Sequence, residues 1–366
     1  MRNMMFAIML GTATGMAQAA PPLGLPPVPI PADNPQNPAK IRLGDKLFHD
    51  KRFSSTGEVS CATCHQPERV FTDSPLKVSR GIKGLTGTRN APTVVNAAYM
   101  HTQFWDGREP DLEGQAGQPF LNPVEMGLKN YDPILKVVRS DREYRKLFKQ
   151  AFGLEPKQIT MRHVVQAIAS FERTLVSGDS PFDRWYFGGD EKAMSDQAKR
   201  GFQVFLGKGR CVSCHTISQT HALFTDSRFH NLNVGFARID KDVHELAVAF
   251  MQAKKKGTDV DIAVLSNKNT SELGRFAVTG EWRDMGAFKT PTLRNVAQTA
   301  PYMHDGSLKT LEDVVNFYDK GGRVEDDDPV NAFQSGGIRP LNLSDDEKAD
   351  LVAFLEALTS PQYAKK

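Results

Sequence analysis

Four cysteines are all that this 366-residue chain contains, and they fall in two pentapeptides, Cys61-Ala-Thr-Cys64-His65 and Cys211-Val-Ser-Cys214-His215. None is left over for a structural disulfide. Charge of one sign is lacking too: 46 basic side chains against 43 acidic ones leave a formal net charge of +3, which gives no basis for nucleic-acid binding. The one notable basic run, Lys254 to Lys256, reads as a solvated loop or helix end. Beyond residue 16 no apolar stretch approaches the ~20 residues that cross a bilayer. Strand signals are sparse and short. These absences argue against a disulfide scaffold, a nucleic-acid binder and a membrane-spanning mature protein.

The two pentapeptides carry the chemistry that remains. Thiols three positions apart reach the two vinyl groups of one porphyrin, while the adjacent imidazole turns back to ligate the iron. A zinc site or a redox dithiol also uses paired cysteines, but neither explains a histidine after the second cysteine in both copies. Two covalently attached haem c groups are therefore expected, with His65 and His215 as axial ligands. The N-terminus agrees. Arg2, a mostly apolar Met4 to Met16 and Ala17-Gln-Ala19 before Ala20 form a secretory leader over residues 1–20. Gly11, Thr12, Thr14 and Gly15 interrupt its apolar run, so export to the periplasm is expected rather than anchoring.

Residues 21–38 are Pro-rich and nearly uncharged, an extended lead-in expected to pack little or to run along the surface. From Ile41 to Phe48 the apolar spacing is helical and leads into the first haem motif; Ser195 opens a similar helix through Phe202 and Phe205 before the second. Phe71-Thr-Asp73 is echoed by Phe224-Thr-Asp226. Each half closes with a helix, one from Thr160 through Phe171 to Leu175, the other from the Ser344/Glu347 capping box through Leu358. The expected fold is mainly α, with two cytochrome-c-like haem domains and extensive loops. The first domain is assigned to residues 39–180 and the second to 181–366, joined near Ser177 to Asp190. The polar stretch from about Asp240 to Ser271 reads as a helix plus a long surface loop without a role.

An iron ligated on both faces passes electrons, whereas an open face binds a small oxidant, so the sixth ligands decide the function. Between the motifs, Gln103-Phe-Trp105-Asp-Gly-Arg108 and Gln115-Ala-Gly-Gln-Pro119-Phe-Leu-Asn-Pro-Val-Glu125-Met126 are dense in loop residues, with Glu125 among apolar neighbours. A carboxylate in an apolar pocket over an iron has a raised pKa and can move a proton between the two oxygens of a peroxide. Helix capping or salt bridging is the competing role for Glu125. Core packing is the alternative for Trp105.

Together with Gly274-Arg-Phe-Ala-Val-Thr-Gly280, Thr290-Pro-Thr-Leu-Arg-Asn295 and Ala300-Pro-Tyr-Met-His-Asp-Gly306, these segments make the chain resemble the bacterial di-haem cytochrome c peroxidase and MauG family from Ile41 to Leu358. The resemblance implies that His65 holds a high-spin peroxidatic haem and His215 an electron-transfer haem, with Trp105 between them. It implies distal-pocket roles for Gln115, Pro119 and Glu125, the last as acid-base group. It also implies a calcium ion held by the Asn90 side chain and the backbone carbonyls of Thr299 and Pro301.

Two departures divide the family. The loop before Asn90, Ser79 to Thr88, contains no His or Met that could cap the first iron, so that iron is expected to be open at rest. Where peroxidases of the family place a Met ligand for the second iron, this chain has Val315-Asn-Phe-Tyr318, and Tyr318 matches the tyrosine ligand of MauG. A phenolate favours more oxidised iron and so helps store both oxidising equivalents of peroxide. Met303 and His304 are the competing ligands on chemistry alone. Hydrogen peroxide is the expected oxidant. The reductant is either an electron-donor cytochrome or copper protein, or a protein substrate oxidised at Trp or Tyr. The MauG-like branch is favoured, although Leu206 to Arg210 lacks the aromatic residue that MauG carries before its second motif. A di-haem electron carrier without peroxide chemistry is the alternative.

Overall fold

The computed structural model describes residues 20–323 and 331–364, so the expected leader lies outside the described residues apart from Ala20. Helix Pro38–His49 begins at Asn37, whose side chain accepts from the Lys40 amide at 2.8 Å, and it crosses helix Met161–Glu172. Gly44 sits at the crossing. A Cβ there would lie 1.9 Å from the Ala167 carbonyl oxygen, so the two backbones meet only because that position has no side chain.

The second half is built the same way. Helix Asp196–Leu206, capped by Ser195, crosses helix Asp345–Glu356, which opens on the Ser344/Glu347 capping box. A Cβ on Gly201 would lie 1.8 Å from the Asp350 carbonyl oxygen. One turn beyond each glycine a phenylalanine pair closes the crossing: Phe48 on Phe171 with ring centroids 5.3 Å apart, and Phe205 on Phe354 at 5.0 Å. Around these pairs lie two cores, one including Leu43, Leu47, Phe120 and Phe148, the other Phe182, Phe202, Phe224 and Leu358. The fold is mainly α, as expected. Its one two-stranded ladder among the described residues pairs Phe229–His230 antiparallel with Phe288–Lys289.

Two segments, the lead-in and the 240–271 stretch, differ from their reading in the sequence. The lead-in does not pack loosely. Leu25 and Asn34 are buried; Asn34 Nδ2 donates to the Gln166 carbonyl at 2.9 Å, while the Gly24 carbonyl accepts from Arg294 Nη2 at 2.6 Å. It straps the two halves together, and its proline content hid this because backbone carbonyls and one Asn make the contacts. The 177–190 connection contains helix Pro181–Tyr186, whose Phe182 is wholly buried in the second core.

The 240–271 stretch is not a helix plus a loop. It forms helices Val243–Lys255, Val260–Ser266 and Lys268–Ser271, which build a third core from Ala247, Phe250, Val264 and Leu265 against Phe236, Phe276 and Met285. Its apolar residues are divided among short helices interrupted at Gly257, where φ is +95°, so no single window shows a long period.

Arg294 and Asp183 form a fully buried bidentate pair at 2.8 and 2.9 Å, beneath the strap and between core elements of the second half. Breaking such a pair leaves an uncompensated buried charge. Arg294→Leu is expected to lower the unfolding free energy in urea by about 3–5 kcal/mol. The double variant Arg294→Leu/Asp183→Leu should lose less than the single one; an equal or larger loss would exclude stranded charge as the cause.

Candidate active site

Each haem motif presents its histidine in the same manner. His65 Nδ1 lies 3.1 Å from the Phe71 carbonyl and His215 Nδ1 lies 2.9 Å from the Phe224 carbonyl. A ligating imidazole is normally fixed by such a bond at its other nitrogen, which leaves Nε2 for the metal. Burial holds both imidazoles below their usual pKa, so the neutral, ligating form is favoured. All four cysteines are free thiols. The donor set fits covalent haem.

Around the second motif opens a cavity of about 570 Å³, lined by Cys211, Cys214, His215, Phe205, Trp105 and Tyr318. That volume lies within the ~300–1,000 Å³ of ordinary cofactor sites. Among the described residues two cations at its wall form no direct ion pair, although the Asp106 carboxylate acts on Lys289 from a distance. Arg210 Nη1 is buried without a hydrogen-bond partner, and Lys289 Nζ donates to the Thr102 carbonyl, burial lowering its pKa to about 8. An anionic group such as the carboxylates of haem fits both, and the sequence reading had singled out neither. Cys214, Asp226 and His230 bring ligand atoms within 4.8 Å of one another, but Cys214 belongs to the haem motif.

Of the three candidate ligands for the second iron, His304 is already committed. Its Nε2 lies 2.9 Å from Glu272 Oε2, and its ring stacks on Phe288 with centroids 3.6 Å apart. Met303 lines the cavity on a backbone with φ of +71°. Tyr318 lines it from helix Leu311–Asp319, and among the described residues its hydroxyl has no hydrogen-bond partner. Burial raises its pKa, with the thiols of Cys211 and Cys214 adding to the effect.

On the first side, Gln115 and Pro119 lie four residues apart on one face of helix Leu112–Leu121, and Glu125 follows in the turn after it. No hydrogen bond joins the three. Glu125 Oε2 is buried and has no partner, and the carboxyl lies near enough to Cys61 and Cys64 to disfavour their ionisation. Burial pushes the Glu125 pKa well above the usual carboxylate range; the Asp261 carboxylate adds to this and Arg108 opposes it. The 79–88 loop packs directly on this turn. Ile82 donates to the Glu125 carbonyl at 2.9 Å, and a Cβ on Gly81 would lie 2.0 Å from the Val124 carbonyl oxygen. A second buried carboxylate, Asp73, lies near Cys64 and His65 with Ser79 beside it, a feature not drawn from the sequence beyond its place in the Phe-Thr-Asp echo.

Asp106 anchors the region between the haem motifs. It is wholly buried, pairs with Arg89 at 2.6 Å and Arg108 at 2.9 Å, and Arg108 continues to Asp261 at 2.5 Å. Burial opposes its charge, but Arg108 and Arg89 outweigh that and hold the carboxyl far below the usual range. Trp105, its neighbour, donates from Nε1 to the Asn90 carbonyl at 2.9 Å and lines the second haem cavity. Asn90, Thr299 and Pro301 line the same cavity. Asn90 Nδ2 donates to the Lys77 carbonyl at 3.2 Å and the Leu76 carbonyl at 3.4 Å, and among the described residues its Oδ1 accepts no hydrogen bond.

A family model described as di-haem cytochrome c peroxidase matches residues 38–192. Methylamine utilization protein MauG of Methylorubrum extorquens is 39% identical over 337 residues, which cover 92% of this chain and 83% of that protein. Cytochrome-c peroxidase IdrP1 of Denitromonas iodatirespirans is 37% identical over 371 residues, 98% and 93% of the two chains. Among solved structures, a MauG-like protein associated with microbial copper homeostasis superposes with a TM-score of 0.76 at 33% identity, over 95% of this chain and 98% of that one. The chain belongs to the di-haem cytochrome c peroxidase and MauG family, and is a peroxidase-like oxidoreductase of two haem c groups.

Proposed function

We propose that hydrogen peroxide is reduced on the His65 side and that both oxidising equivalents are shared with the His215 side, in the MauG-like manner. A haem held by Cys61, Cys64 and His65 would supply a redox-active iron for peroxide reduction. Glu125 takes a proton from the near oxygen of peroxide and returns it to the leaving oxygen, so that water departs. The observation that carries this is Glu125 Oε2, a buried carboxylate oxygen with no partner beside the first haem motif. Burial favours the protonated carboxyl, so the proton it accepts is held until the leaving oxygen needs it. Gln115 and Pro119, on the helix that ends at this turn, bound the peroxide pocket.

Trp105 carries electrons between the two sides; its indole is held in place by the Asn90 carbonyl. Tyr318, with His215, would hold the iron of the second haem. Support comes from its unpartnered hydroxyl in the cavity and from the commitment of His304 to Glu272. Calcium between the two sides would be held by Asn90 Oδ1 and the carbonyls of Thr299 and Pro301, with waters completing the oxygen shell. The reductant is an electron-donor cytochrome or copper protein, or a protein oxidised at Trp or Tyr. The protein acts in the periplasm, a reading supported by the leader-like residues 1–20; among the described residues no helix is long and apolar enough to cross a membrane.

Glu125→Gln is expected to slow the reaction of the ferric protein with stoichiometric peroxide by about 10²–10⁴-fold in stopped-flow absorbance, with both haems still attached. An undiminished rate would remove Glu125 from the mechanism. Tyr318→Phe should abolish the resting low-spin signal of the second haem in EPR. If that signal is unchanged, another residue is the ligand.

A further inference from the structure

The 240–271 stretch places one acid beside the peroxide pocket. Asp261 lies in the first turn of helix Val260–Ser266, with its side chain 6% exposed. Its Oδ1 accepts from Arg108 Nε at 2.9 Å and Nη2 at 2.5 Å; its Oδ2 accepts from Asn122 Nδ2 at 2.5 Å. Asn122 is the residue on which the Glu125 turn is built. Its carbonyl accepts from the amides of Glu125 at 3.1 Å and Gly127 at 2.9 Å, and its Oδ1 accepts from Val124 at 3.1 Å. One carboxylate therefore grips both the turn that carries Glu125 and the guanidinium that faces it.

We propose that Asp261 is a positioning residue for the peroxide reaction, and that through it the 240–271 helices set the pH range in which Glu125 accepts a proton. The proposal rests on Glu125 being the peroxide base. The groups facing Glu125 are few. Asp261 faces it from helix Val260–Ser266 and Arg108 from the 103–109 loop; Cys61 and Cys64 face it from the haem helix, where their sulfurs become uncharged thioethers. The 79–88 loop meets it through the Ile82 amide. Behind Arg108 stand Asp106 and Arg89.

Asp261 and Arg108 face Glu125 with opposite charges and are paired to each other. Removing the charge of Asp261 leaves one positive charge in excess beside Glu125, which stabilises the Glu125 carboxylate. Glu125 must be ionised to take the peroxide proton, so the rate rises with pH through its titration. Taking away Asp261 therefore moves that rise to lower pH.

The test is the pH profile of the second-order rate of peroxide with the ferric di-haem protein, for wild type, Asp261→Asn, Asp261→Ser and Asp261→Glu. Both neutral variants are expected to shift the rising limb down by about 1 pH unit, a rate up to about tenfold higher below the wild-type limb. Asp261→Glu should return it toward the wild-type position. Infrared titration of the carboxyl stretch that Glu125→Gln removes should show the same shift, a readout independent of turnover. A limb and a carboxyl titration unmoved in either neutral variant would overturn the proposal, provided Glu125→Gln abolishes both. A limb that survives in Glu125→Gln would instead refute the reading of Glu125 on which the proposal stands.

Discussion

A single buried carboxylate holds the middle of this protein together. Asp106 has no exposed surface, and a lone charge there would be costly; the guanidinium groups of Arg89 and Arg108 make it tenable. Each partner belongs to a different segment. Arg89 leads the loop that carries Asn90, Arg108 passes the charge to Asp261, and Arg275 closes the cluster by donating to the Asp106 and Gly107 carbonyls at 2.9 and 2.7 Å. Because neither Arg89 nor Arg108 can leave without stranding a buried charge, Trp105, Asn90 and the Glu125 turn are fixed relative to one another. The three segments thus share one anchor.

Around that anchor the chain repeats itself and then breaks the repeat. Phe48, Phe71 and Phe171 in the first half correspond to Phe205, Phe224 and Phe354 in the second, and in each half a phenylalanine carbonyl fixes the haem histidine. The Trp105 loop also has a counterpart. Phe104 and Met303 both have positive φ, at +66° and +71°, and each loop is closed by a bridge, Gln103 to Glu109 and Tyr302 to Leu308. Trp105 therefore corresponds to His304. One donates to a backbone carbonyl at the haem cavity; the other is tied to Glu272 and stacked on Phe288. The same backbone thus presents an indole on one side and an imidazole on the other.

Much of the fold was legible because its signals are local. Ser195 and Ser344 cap the helices they were expected to cap, and the helices through Phe48 and Phe171 form close to where their spacing placed them. The lead-in and the 240–271 helices were misread for a physical reason. The first is held by backbone carbonyls, which carry no sequence signal, and the second distributes its apolar residues over helices too short to show a period.

The sequence by itself determined the haem attachments, since two thiols and an imidazole must be adjacent in the chain to hold one porphyrin edge and iron. It also identified Glu125 and Tyr318 as the residues to examine. Only the tertiary structure decided what surrounds them. The partner of the Glu125 turn is Asp261, 139 positions away from Asn122. The orphaned Arg210 Nη1 becomes visible only once the cavity is closed around it. Burial and charge proximity are properties of the packed chain: water, not sequence distance, is what they remove from between two groups.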